Sequence, residues 1–320
     1  MEEFQVQQDK KIVASAIPVQ DWATLASSIK LTPEQEALFL KLKPILFQLR
    51  VTLMKEFGDH VVEHLFGDVV PPVLLYPAVR PDQYALAHPG SFDEREIIDH
   101  IELFSKPNEI VLDPMVGSGT TMVACYRTGR SGAGIELYDH LIELIKQRIL
   151  DVTGSPYEYG RHNLRLKQGD CREVMPTMMP EIIDLIVFSP PYFDILKNPR
   201  GERAKARRRA GLPVNYGNSP SDLGNMDDYK EFMVQMALIY SQCFRLLKTG
   251  KSMVVIVADI VKYGAFIPYH ADTIYAAQAA GFKLRGIQVV MDHWKRKNIY
   301  GPPRRPYECF HHHYALVFQK

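Results

Sequence analysis

Two prolines stand between a serine and a tyrosine at Ser189-Pro190-Pro191-Tyr192, directly after the apolar run of residues 182–187. The run has the length and β-branched content of a buried parallel strand. Prolines cannot donate to a β-ladder and fix their own φ, so they end the strand. An ordinary Pro-rich turn is the simpler interpretation of these residues alone. The alternative is a rigid loop that presents a hydroxyl, carbonyl oxygens and an aromatic ring where open α/β sheets bind ligands.

A glycine-containing turn upstream favours the second interpretation. Asp113-Pro114-Met115-Val116-Gly117-Ser118-Gly119-Thr120-Thr121 lies between an apolar run and the start of a helix. The glycines permit a tight turn, and the free N–H groups of the new helix face a bound anion. The third glycine of a dinucleotide fingerprint is replaced by Met122, and no lysine follows as in a P-loop. An amino-acid-bearing nucleoside, with one carboxylate and one ammonium group, fits this turn beside Asp113.

Two further acids end predicted strands. Glu136 follows the second strand, where a carboxylate can accept hydrogen bonds from both ribose hydroxyls of a nucleotide. Asp170 ends the next strand and can accept from an exocyclic adenine amine. Each acid alone is as readily an ordinary loop residue. Their positions at successive strand ends after the glycine turn favour a cofactor site.

These residues need a parallel sheet to bring them together. From His88 onward, strand patterns alternate with helix patterns, which is typical of a doubly wound α/β domain. Strands are predicted over residues 109–113, 132–136, 164–169, 182–188, 252–258, 283–290 and 314–318. Helices are predicted over residues 93–104, 120–128, 139–152, 228–247 and 271–280. The last two strands have no room for a helix between them and should pair antiparallel. The sequence thus predicts a Rossmann-like, seven-stranded, mostly parallel sheet with an antiparallel last pair.

The N-terminal part has a different pattern. Thr32-Pro33-Glu34-Gln35 begins a helix with a capping box, and apolar residues at helical spacing follow it. The prolines of residues 71–81 then indicate a linker or strap. We therefore predict a helical N-terminal appendage over residues 1–75 and a catalytic domain over residues 76–320. A basic insertion is predicted at about residues 195–225.

Composition limits the class of protein. The 320 residues contain no apolar run as long as a membrane span, and the N-terminus lacks the pattern of a signal peptide. We expect a cytoplasmic protein that does not enter membranes. Its four cysteines are scattered and should be reduced thiols. Cys309 with His311-His312-His313 could suggest a metal site, but alternation along a strand would divide the histidines between two faces, so no metal is predicted.

Basic residues are concentrated in two segments, although the net charge is only +1. The first segment follows the Ser189 loop and contains Lys197, Arg200, Arg203, Lys205, Arg207, Arg208 and Arg209. The second contains Lys295, Arg296, Lys297, Arg304 and Arg305, interleaved with aromatic residues. A solvated helix face is the usual role of such a run. The glycines and prolines of residues 211–220 instead favour an irregular, mobile arm that contacts phosphates.

Together, the two motifs resemble those of the amino-methyltransferases that modify exocyclic amines of nucleic-acid bases with S-adenosylmethionine. The Ser-Pro-Pro-Tyr form is similar to the N4-cytosine branch, whereas adenine-N6 enzymes more often carry Asn or Asp at the first position. His88-Pro89-Gly90-Ser91-Phe92 resembles the segment that helps to hold the methionine end of the cofactor, and residues 313–318 resemble the closing strand. The similarity covers residues 87–320, with the motifs in the order of a known circular permutation of the family.

The resemblance, together with the acids above, implies a set of site residues. The predicted cofactor site comprises His88, Ser91, Phe92, Asp113, Pro114, Met115, Gly117, Ser118, Gly119, Thr120, Thr121, Glu136, Asp170 and Cys171. Met115 stands where the family usually has Phe, which predicts a changed contact and not lost binding. The predicted catalytic residues are Ser189, Pro190, Pro191 and Tyr192.

The chemistry of these residues agrees with the resemblance. The N4 lone pair of cytosine is delocalised into the ring, so the amine is a poor nucleophile. The Ser189 hydroxyl and the Pro190 carbonyl can accept hydrogen bonds from that amine and support the charge that develops during methyl transfer. Tyr192 would stack on the extruded base. We therefore expect an N4-cytosine methyltransferase that acts on DNA as a monomer or homodimer. Structured RNA, adenine N6 and a catalytically silent subunit are the alternatives.

Overall fold

Short apolar strands form one eight-stranded sheet whose centre is buried on both faces. The structure, a computed structural model, describes residues 73–75, 82–90, 92–194, 202–262, 265–291 and 312–320. The strands of the sheet are β1 (Val73–Leu75), β2 (Ile110–Asp113), β3 (Ser131–Glu136), β4 (Leu164–Gln168), β5 (Ile183–Phe188), β6 (Leu247–Val257), β9 (Lys283–Met291) and β10 (His312–Gln319). A separate hairpin contains β7 (Ile260–Lys262) and β8 (Ala265–Ile267). All six residues of β5 are buried, as expected for a strand covered on both faces.

The strand order is β1-β9-β10-β6-β5-β2-β3-β4, and β10 runs antiparallel to both of its neighbours. All seven predicted strands are present, and their last pair is antiparallel. The predicted class, a Rossmann-like α/β fold with an antiparallel last pair, is therefore confirmed. The chain proceeds outward from β2 through β3 to β4, and then crosses back to β5 on the other side of β2. This reversal leaves a crevice at the carboxyl ends of β2 and β5, which is the usual ligand position in such sheets.

Helices cover the two faces of the sheet. They are α1 (Gln83–Ala87), α2 (Glu94–Phe104), α3 (Thr120–Thr128), α4 (Asp139–Thr153), α5 (Cys171–Val174), α6 (Glu202–Arg209), α7 (Tyr229–Leu246) and α8 (Tyr269–Ala279). Apolar residues of α2, α3 and α4 form a core with one face, and those of α7 and α8 form a core with the other. Asp93 and Asp228 cap α2 and α7 by accepting hydrogen bonds from first-turn N–H groups.

Several elements differ from the sequence prediction. Val73–Leu75 pairs with β9, so the sheet begins before residue 76, where we placed the domain boundary. Residues 202–209 form a helix, so the expectation of an irregular arm is wrong for this part of the basic segment. Alanines among long basic side chains have high helix propensity, which accounts for the helix. Helix α1 and the β7–β8 hairpin are too short to produce a clear hydrophobic period.

Other predictions lie outside the described residues. They include the helical appendage before residue 73, the linker of residues 76–81 and the second basic segment. Three of the four cysteines, Cys125, Cys171 and Cys243, are buried free thiols as predicted, and Cys309 lies outside the described residues. None of the helices in the described ranges is long and apolar enough to cross a membrane.

Phe232 should be a principal contributor to the stability of this fold. Its side chain is fully buried on α7 and packs against the rings of Phe193, Tyr229 and Tyr269, with centroids 5.5, 6.0 and 5.7 Å away. We expect Phe232→Ala to lower the free energy of unfolding by about 3–5 kcal/mol, through reduced burial and the cavity left behind. Urea denaturation measures the change. Leu238→Ala, on the exposed face of the same helix, is the matched control and should change stability by less than about 0.5 kcal/mol.

Candidate active site

The crevice at the carboxyl ends of β2 and β5 brings most of the predicted site residues together. Predicted residues that line it are His88, Phe92, Asp113, Pro114, Met115, Gly117, Ser118, Thr120, Thr121, Glu136, Asp170, Cys171, Ser189 and Pro191. Gly119, Pro190 and Tyr192 belong to the same two loops but are not among the lining residues, and Ser91 lies outside the described residues. The lining also contains four polar residues that we did not predict, Tyr138, Tyr216, Ser221 and Asp222.

Asp113 closes the glycine turn. Its carboxylate accepts hydrogen bonds from the backbone N–H of Met115 at 2.9 Å and from the hydroxyl of Thr121 at 2.6 Å, so it joins the start of the turn to the start of α3. Gly117 and Gly119 have φ values of +54° and +82°, which L side chains rarely adopt. A Cβ on Gly117 would also lie 3.1 Å from the imidazole of His88. Burial raises the pKa of Asp113 to about 6.

Glu136 fastens the same turn from the neighbouring strand. Its two carboxylate oxygens accept hydrogen bonds from the backbone N–H groups of Gly117 and Tyr138, each at 2.9 Å. The side chain is buried, and this desolvation raises its pKa to about 7. An ionised carboxylate has about four lone-pair positions, so Glu136 can still accept from a donor in the crevice. The contact of Glu136 with a pair of ribose hydroxyls stays a prediction.

Asp170 has a structural role in addition to its place in the crevice. It caps α5 by accepting from the backbone N–H of Arg172 at 2.9 Å, and it forms an ion pair with the guanidinium of Arg172 at 2.5 Å. Arg172 donates in turn to the carbonyl of Ser221. The predicted contact with an adenine amine stays a prediction. Burial raises the pKa of the adjacent Cys171 thiol to about 12, so the thiol that lines the crevice is uncharged at pH 7.

Arg148 is a site residue that the motif analysis missed. It extends from α4 and donates to the carbonyl of Ser118 at 3.1 Å and to the hydroxyl of Thr120 at 3.0 Å. The guanidinium is almost fully buried and is paired with Asp82 at 2.9 Å and with Glu94 at 3.6 Å. A signal was present in the sequence, because Arg148 shares the apolar face of α4 with Leu141 and Ile145. A charged residue on such a face must have buried partners.

Residues 216 and 221–223 contribute to the lining of the crevice. The ring of Tyr216 stacks on the imidazole of His88, with centroids 5.0 Å apart, and the Tyr138 hydroxyl donates to the carboxylate of Asp222 at 2.7 Å. His88 accepts from the backbone N–H of Gly90 at 3.3 Å. Burial, with the nearby Arg207 charge, lowers the His88 pKa to about 4, so its imidazole is neutral at pH 7. No sequence pattern joins Tyr138 to Asp222, because they are 84 positions apart.

The Ser189 loop lies beside the glycine turn and is held from its other end. Ser189 and Pro191 line the crevice, and the Tyr192 ring meets the Tyr269 ring edge-on at 6.3 Å. Beyond it, Asp194 forms an ion pair with Lys262 of the β7–β8 hairpin. The Lys262 ammonium also lies 4.6 Å from the ring centroid of Phe193. The hairpin therefore anchors the loop that carries the predicted catalytic groups.

The first basic segment has two kinds of side chain. Lys205, Arg208 and Arg209 are exposed on α6. Arg207 is half-buried and donates to the backbone carbonyls of Leu86 and Pro213, each at 2.7 Å, so it ties α6 to the chain beside His88. Of the remaining predicted nucleic-acid contacts, Arg203 is described only in its backbone. Lys197, Arg200, Lys295, Arg296, Lys297, Arg304 and Arg305 lie outside the described residues.

The histidines of β10 point to opposite faces, as strand alternation predicts. Nε2 of His313 is 2.9 Å from the Glu96 carboxylate of α2, and Nε2 of His312 is 2.9 Å from the hydroxyl of Tyr314. Among the described residues, no group of three or more His, Cys, Asp or Glu side chains could hold a metal ion.

The fold and the crevice define a Rossmann-like α/β domain with a ligand site at the carboxyl ends of its central strands. Residues 63–147, which contain the glycine turn and Glu136, match the model of the N6/N4 methyltransferase family, described as DNA methylase. This family match and the crevice support S-adenosylmethionine as the cofactor.

Individual relatives are similar over short stretches. The chain is 38% identical to the type II methyltransferase M2.LlaDCHI of Lactococcus lactis subsp. cremoris over 98 residues, 30% of this chain and 34% of the relative. It is 29% identical to M.HinfI of Haemophilus influenzae over 89 residues, 28% of this chain and 25% of the relative. A structure of a TehB-like methyltransferase from Corynebacterium glutamicum is 15% identical over 71% of this chain and 86% of that one, with a TM-score of 0.38. The chain spans about a third or less of the curated relatives it matches.

Cofactor affinity should depend on pH through Glu136. An ionised carboxylate would accept hydrogen bonds from ribose hydroxyls, and the pKa of about 7 means that Glu136 is increasingly protonated below neutral pH. Binding must then release a proton. We expect the dissociation constant for S-adenosylhomocysteine to rise about tenfold between pH 8 and pH 6.

Isothermal calorimetry on Glu136→Gln tests the assignment. The variant should bind more weakly at pH 8, by about 1–3 kcal/mol, and should lose most of the pH dependence. Glu143→Gln, an exposed carboxyl group on α4, is the matched control and should behave like the unmodified protein. An unchanged pH dependence in Glu136→Gln would remove Glu136 from the cofactor site.

Proposed function

We propose that this protein transfers a methyl group from S-adenosylmethionine to the exocyclic N4 amine of cytosine in DNA, after the base has turned out of the duplex. One observation carries the proposal: the glycine turn and the Ser189 loop open into the same crevice, side by side at the strand-order reversal. A methyl donor and a base amine must meet within contact distance for direct transfer. The family match and the type II methyltransferase relatives support DNA as the substrate.

The residues of the crevice suit a positively charged cofactor. Asp113 and Glu136 are buried carboxyl groups, and a nearby cation favours their ionised forms. Asp113 and the glycine turn would hold the amino-acid end, Glu136 the ribose and Asp170 the adenine. His88 is neutral at pH 7, so its imidazole does not repel the cation. When bound, S-adenosylmethionine supplies an activated methyl group.

The Ser189 loop would position the target amine. Ser189 is half-buried in the crevice wall, and the two prolines give the loop little freedom. Acceptors at the Ser189 hydroxyl and the Pro190 carbonyl hold the two N–H groups of an amine and favour a pyramidal nitrogen. They stabilise the developing positive charge without reorganising, which lowers the barrier. To stack on the base, the Tyr192 ring would have to leave its edge-on contact with the Tyr269 ring or rotate while keeping that contact.

Incubation with labelled S-adenosylmethionine and duplex DNA or ribosomal RNA, followed by digestion to nucleosides, tests the proposal. N4-methylcytosine in DNA is the expected product. N4-methylcytidine in RNA, or N6-methyladenine in DNA, would support one of the alternatives. Absence of transfer to every nucleic acid would favour a catalytically silent cofactor-binding subunit.

Ser189 and Tyr192 should affect different steps. We expect Ser189→Ala to lower the single-turnover rate by about 10²-fold with little change in DNA affinity, because its hydrogen bond matters most as charge develops. Tyr192→Ala should weaken capture of the flipped base by about 1–3 kcal/mol while S-adenosylmethionine affinity stays the same. Rapid-quench measurements separate the steps from product release. Ser241→Ala and Tyr275→Ala, both on exposed helix faces, are the controls. Unaltered rates in both loop variants would make the loop structural.

The exposed basic residues of α6 should contribute to DNA affinity by neutralising phosphates. We expect Arg208→Gln with Arg209→Gln to reduce the slope of log affinity against log salt by about 0.9 for each phosphate that is no longer neutralised, while cofactor affinity stays the same. Arg207 is left intact because it holds the backbone near His88. Arg165→Gln with Lys167→Gln, exposed on β4, changes the net charge equally and is the control. Equal salt slopes in the two double variants would indicate that the basic side chains of α6 are solvated and do not contact phosphates.

A further inference from the structure

A second polar cluster lies beyond the cofactor crevice, at the carboxyl end of β6. Asp259 closely follows this strand and is 8% exposed. Its carboxylate accepts hydrogen bonds from the backbone N–H of His270 at 3.2 Å and from Nδ1 of the same residue at 2.5 Å. The Tyr314 ring stacks on the imidazole with centroids 4.3 Å apart, and Nε2 of His312 is 2.9 Å from the Tyr314 hydroxyl. We refer to these four residues as the His270 cluster.

The register of the sheet places this cluster beside the Ser189 loop. Phe188, the last residue of β5, pairs with Val255 near the end of the parallel strand β6, so the chain leaves both strands at the same edge of the sheet. The contact between the rings of Tyr192 and Tyr269, the residue before His270, agrees with this placement. Since β6 and β2 flank β5 on opposite sides, the cluster and the glycine turn flank the Ser189 loop on opposite sides.

The hydrogen bond to Asp259 determines what His270 can do. A neutral imidazole that donates from Nδ1 has a free lone pair on Nε2, the arrangement of a carboxylate-oriented general base. The tautomer is assigned from the hydrogen bond itself. Nε2 has no hydrogen-bond partner within the described ranges, and the side chain is 25% exposed. The imidazole is therefore held in place by Asp259 and Tyr314 with its accepting nitrogen available.

Methylation of an amine creates a need for a base. A serine hydroxyl and a peptide carbonyl accept hydrogen bonds, but both are far too weakly basic to keep a proton near neutral pH. Asp113 and Glu136 lie on the cofactor side of the crevice, where Thr121 and backbone N–H groups engage them. The predicted catalytic loop thus holds the amine but provides no final acceptor for its proton.

We propose that His270, oriented by Asp259, accepts the proton that the target amine loses on methylation. This inference rests on the proposed function. The amine nitrogen forms the new C–N bond as the C–S bond breaks, and the electron pair of that bond stays on sulfur. One N–H proton passes to Nε2 of His270, and the Asp259 carboxylate stabilises the resulting imidazolium. The proton then passes to solvent from the partly exposed ring.

The charged and titratable groups around the imidazole are few within the described ranges. Asp259 faces it from the end of β6, and Tyr314 faces it from β10, with His312 behind Tyr314. On α8 itself, Asp272 accepts from the hydroxyl of Tyr229 at 2.7 Å. Burial raises the pKa of Tyr314, so this phenol is neutral at pH 7.

His270→Asn separates the two functions of the imidazole. The Asn amide can still donate to Asp259 from near the Nδ1 position, whereas the Nε2 acceptor is removed. We expect the single-turnover rate of the preformed cofactor complex with DNA to fall by about 10²-fold, with unchanged affinity for S-adenosylhomocysteine. His162→Asn is the matched control, because His162 is exposed at the opposite edge of the sheet and its φ of +54° suits asparagine. It should keep the full rate.

A pH profile and chemical rescue distinguish a base from a structural residue. At saturating cofactor, the rate of the unmodified protein should fall as the pH is lowered, because a protonated imidazole cannot accept the amine proton. His270→Asn should lose this acid limb. Added imidazole should restore the rate of His270→Ala in a concentration-dependent way, but should not restore Asp259→Ala, which retains its own histidine.

Several outcomes would overturn the inference. A rate of the unmodified protein that is flat from about pH 5 to pH 8 would do so without any variant. The inference would also fail if His270→Asn kept the full single-turnover rate and the fall in rate at low pH. It would fail as well if His270→Ala were folded but its rate did not rise when imidazole was added. Failure of the unmodified protein to methylate any nucleic acid is a different result, because it refutes the proposed function and the inference together.

Discussion

The pairing of β5 with β2 is the constraint on which the rest of the site depends. Val111 and Leu112 pair with Leu185 and Ile186, and this parallel register brings two loops to the same edge although they are some 70 residues apart in sequence. Neither loop could act without the other. In the proposed reaction, the glycine turn holds the cofactor but has no group that activates an amine, and the Ser189 loop presents acceptors for the amine but has no methyl donor. The buried central strands hold both loops at a nearly fixed separation, as catalysis by positioning requires.

Electrostatics explains why the crevice is built from buried acids. Asp113 and Glu136 both have raised pKa values because burial removes water from their carboxyl groups. The ionised forms of such carboxyl groups are stabilised most when a cation with hydrogen-bond donors enters the crevice. The buried Arg148 lies on the other side of the glycine turn, where Asp82 and Glu94 balance its charge. It thus stabilises the backbone of the turn without placing an unpaired positive charge against the bound sulfonium.

The aromatic and polar side chains around the Ser189 loop form a continuous support. Phe193 packs against Tyr229 and Phe232, and Lys262 connects the loop to the β7–β8 hairpin. The same region carries Asp259 and His270. A flipped base would therefore enter between a rigid cofactor side, built on β2 and β3, and a side built on β6, β10 and α8. Division of binding and proton transfer between the two sides follows from the order of strands in the sheet.

By itself, the amino-acid sequence determined the fold class and the identity of the two loops, because these depend on local patterns. Strand and helix periods, Gly117 and Gly119 at positions of positive φ, and prolines after β5 can all be recognised from near neighbours in the chain. Only the tertiary structure revealed Arg148 against the glycine turn, Tyr216 and Asp222 in the lining of the crevice, and His270 against Asp259. The contacts of Arg148 and Tyr216, and that of Asp222 with Tyr138, join residues that are distant in the chain, and each of these residues alone has an ordinary local pattern. His270 and Asp259 are only eleven positions apart, but the carboxyl end of β6 and the start of α8 must fold together before the pair exists. Contacts that depend on tertiary packing, and not on the periodicity of the sequence, can be identified only once the assembled sheet is known.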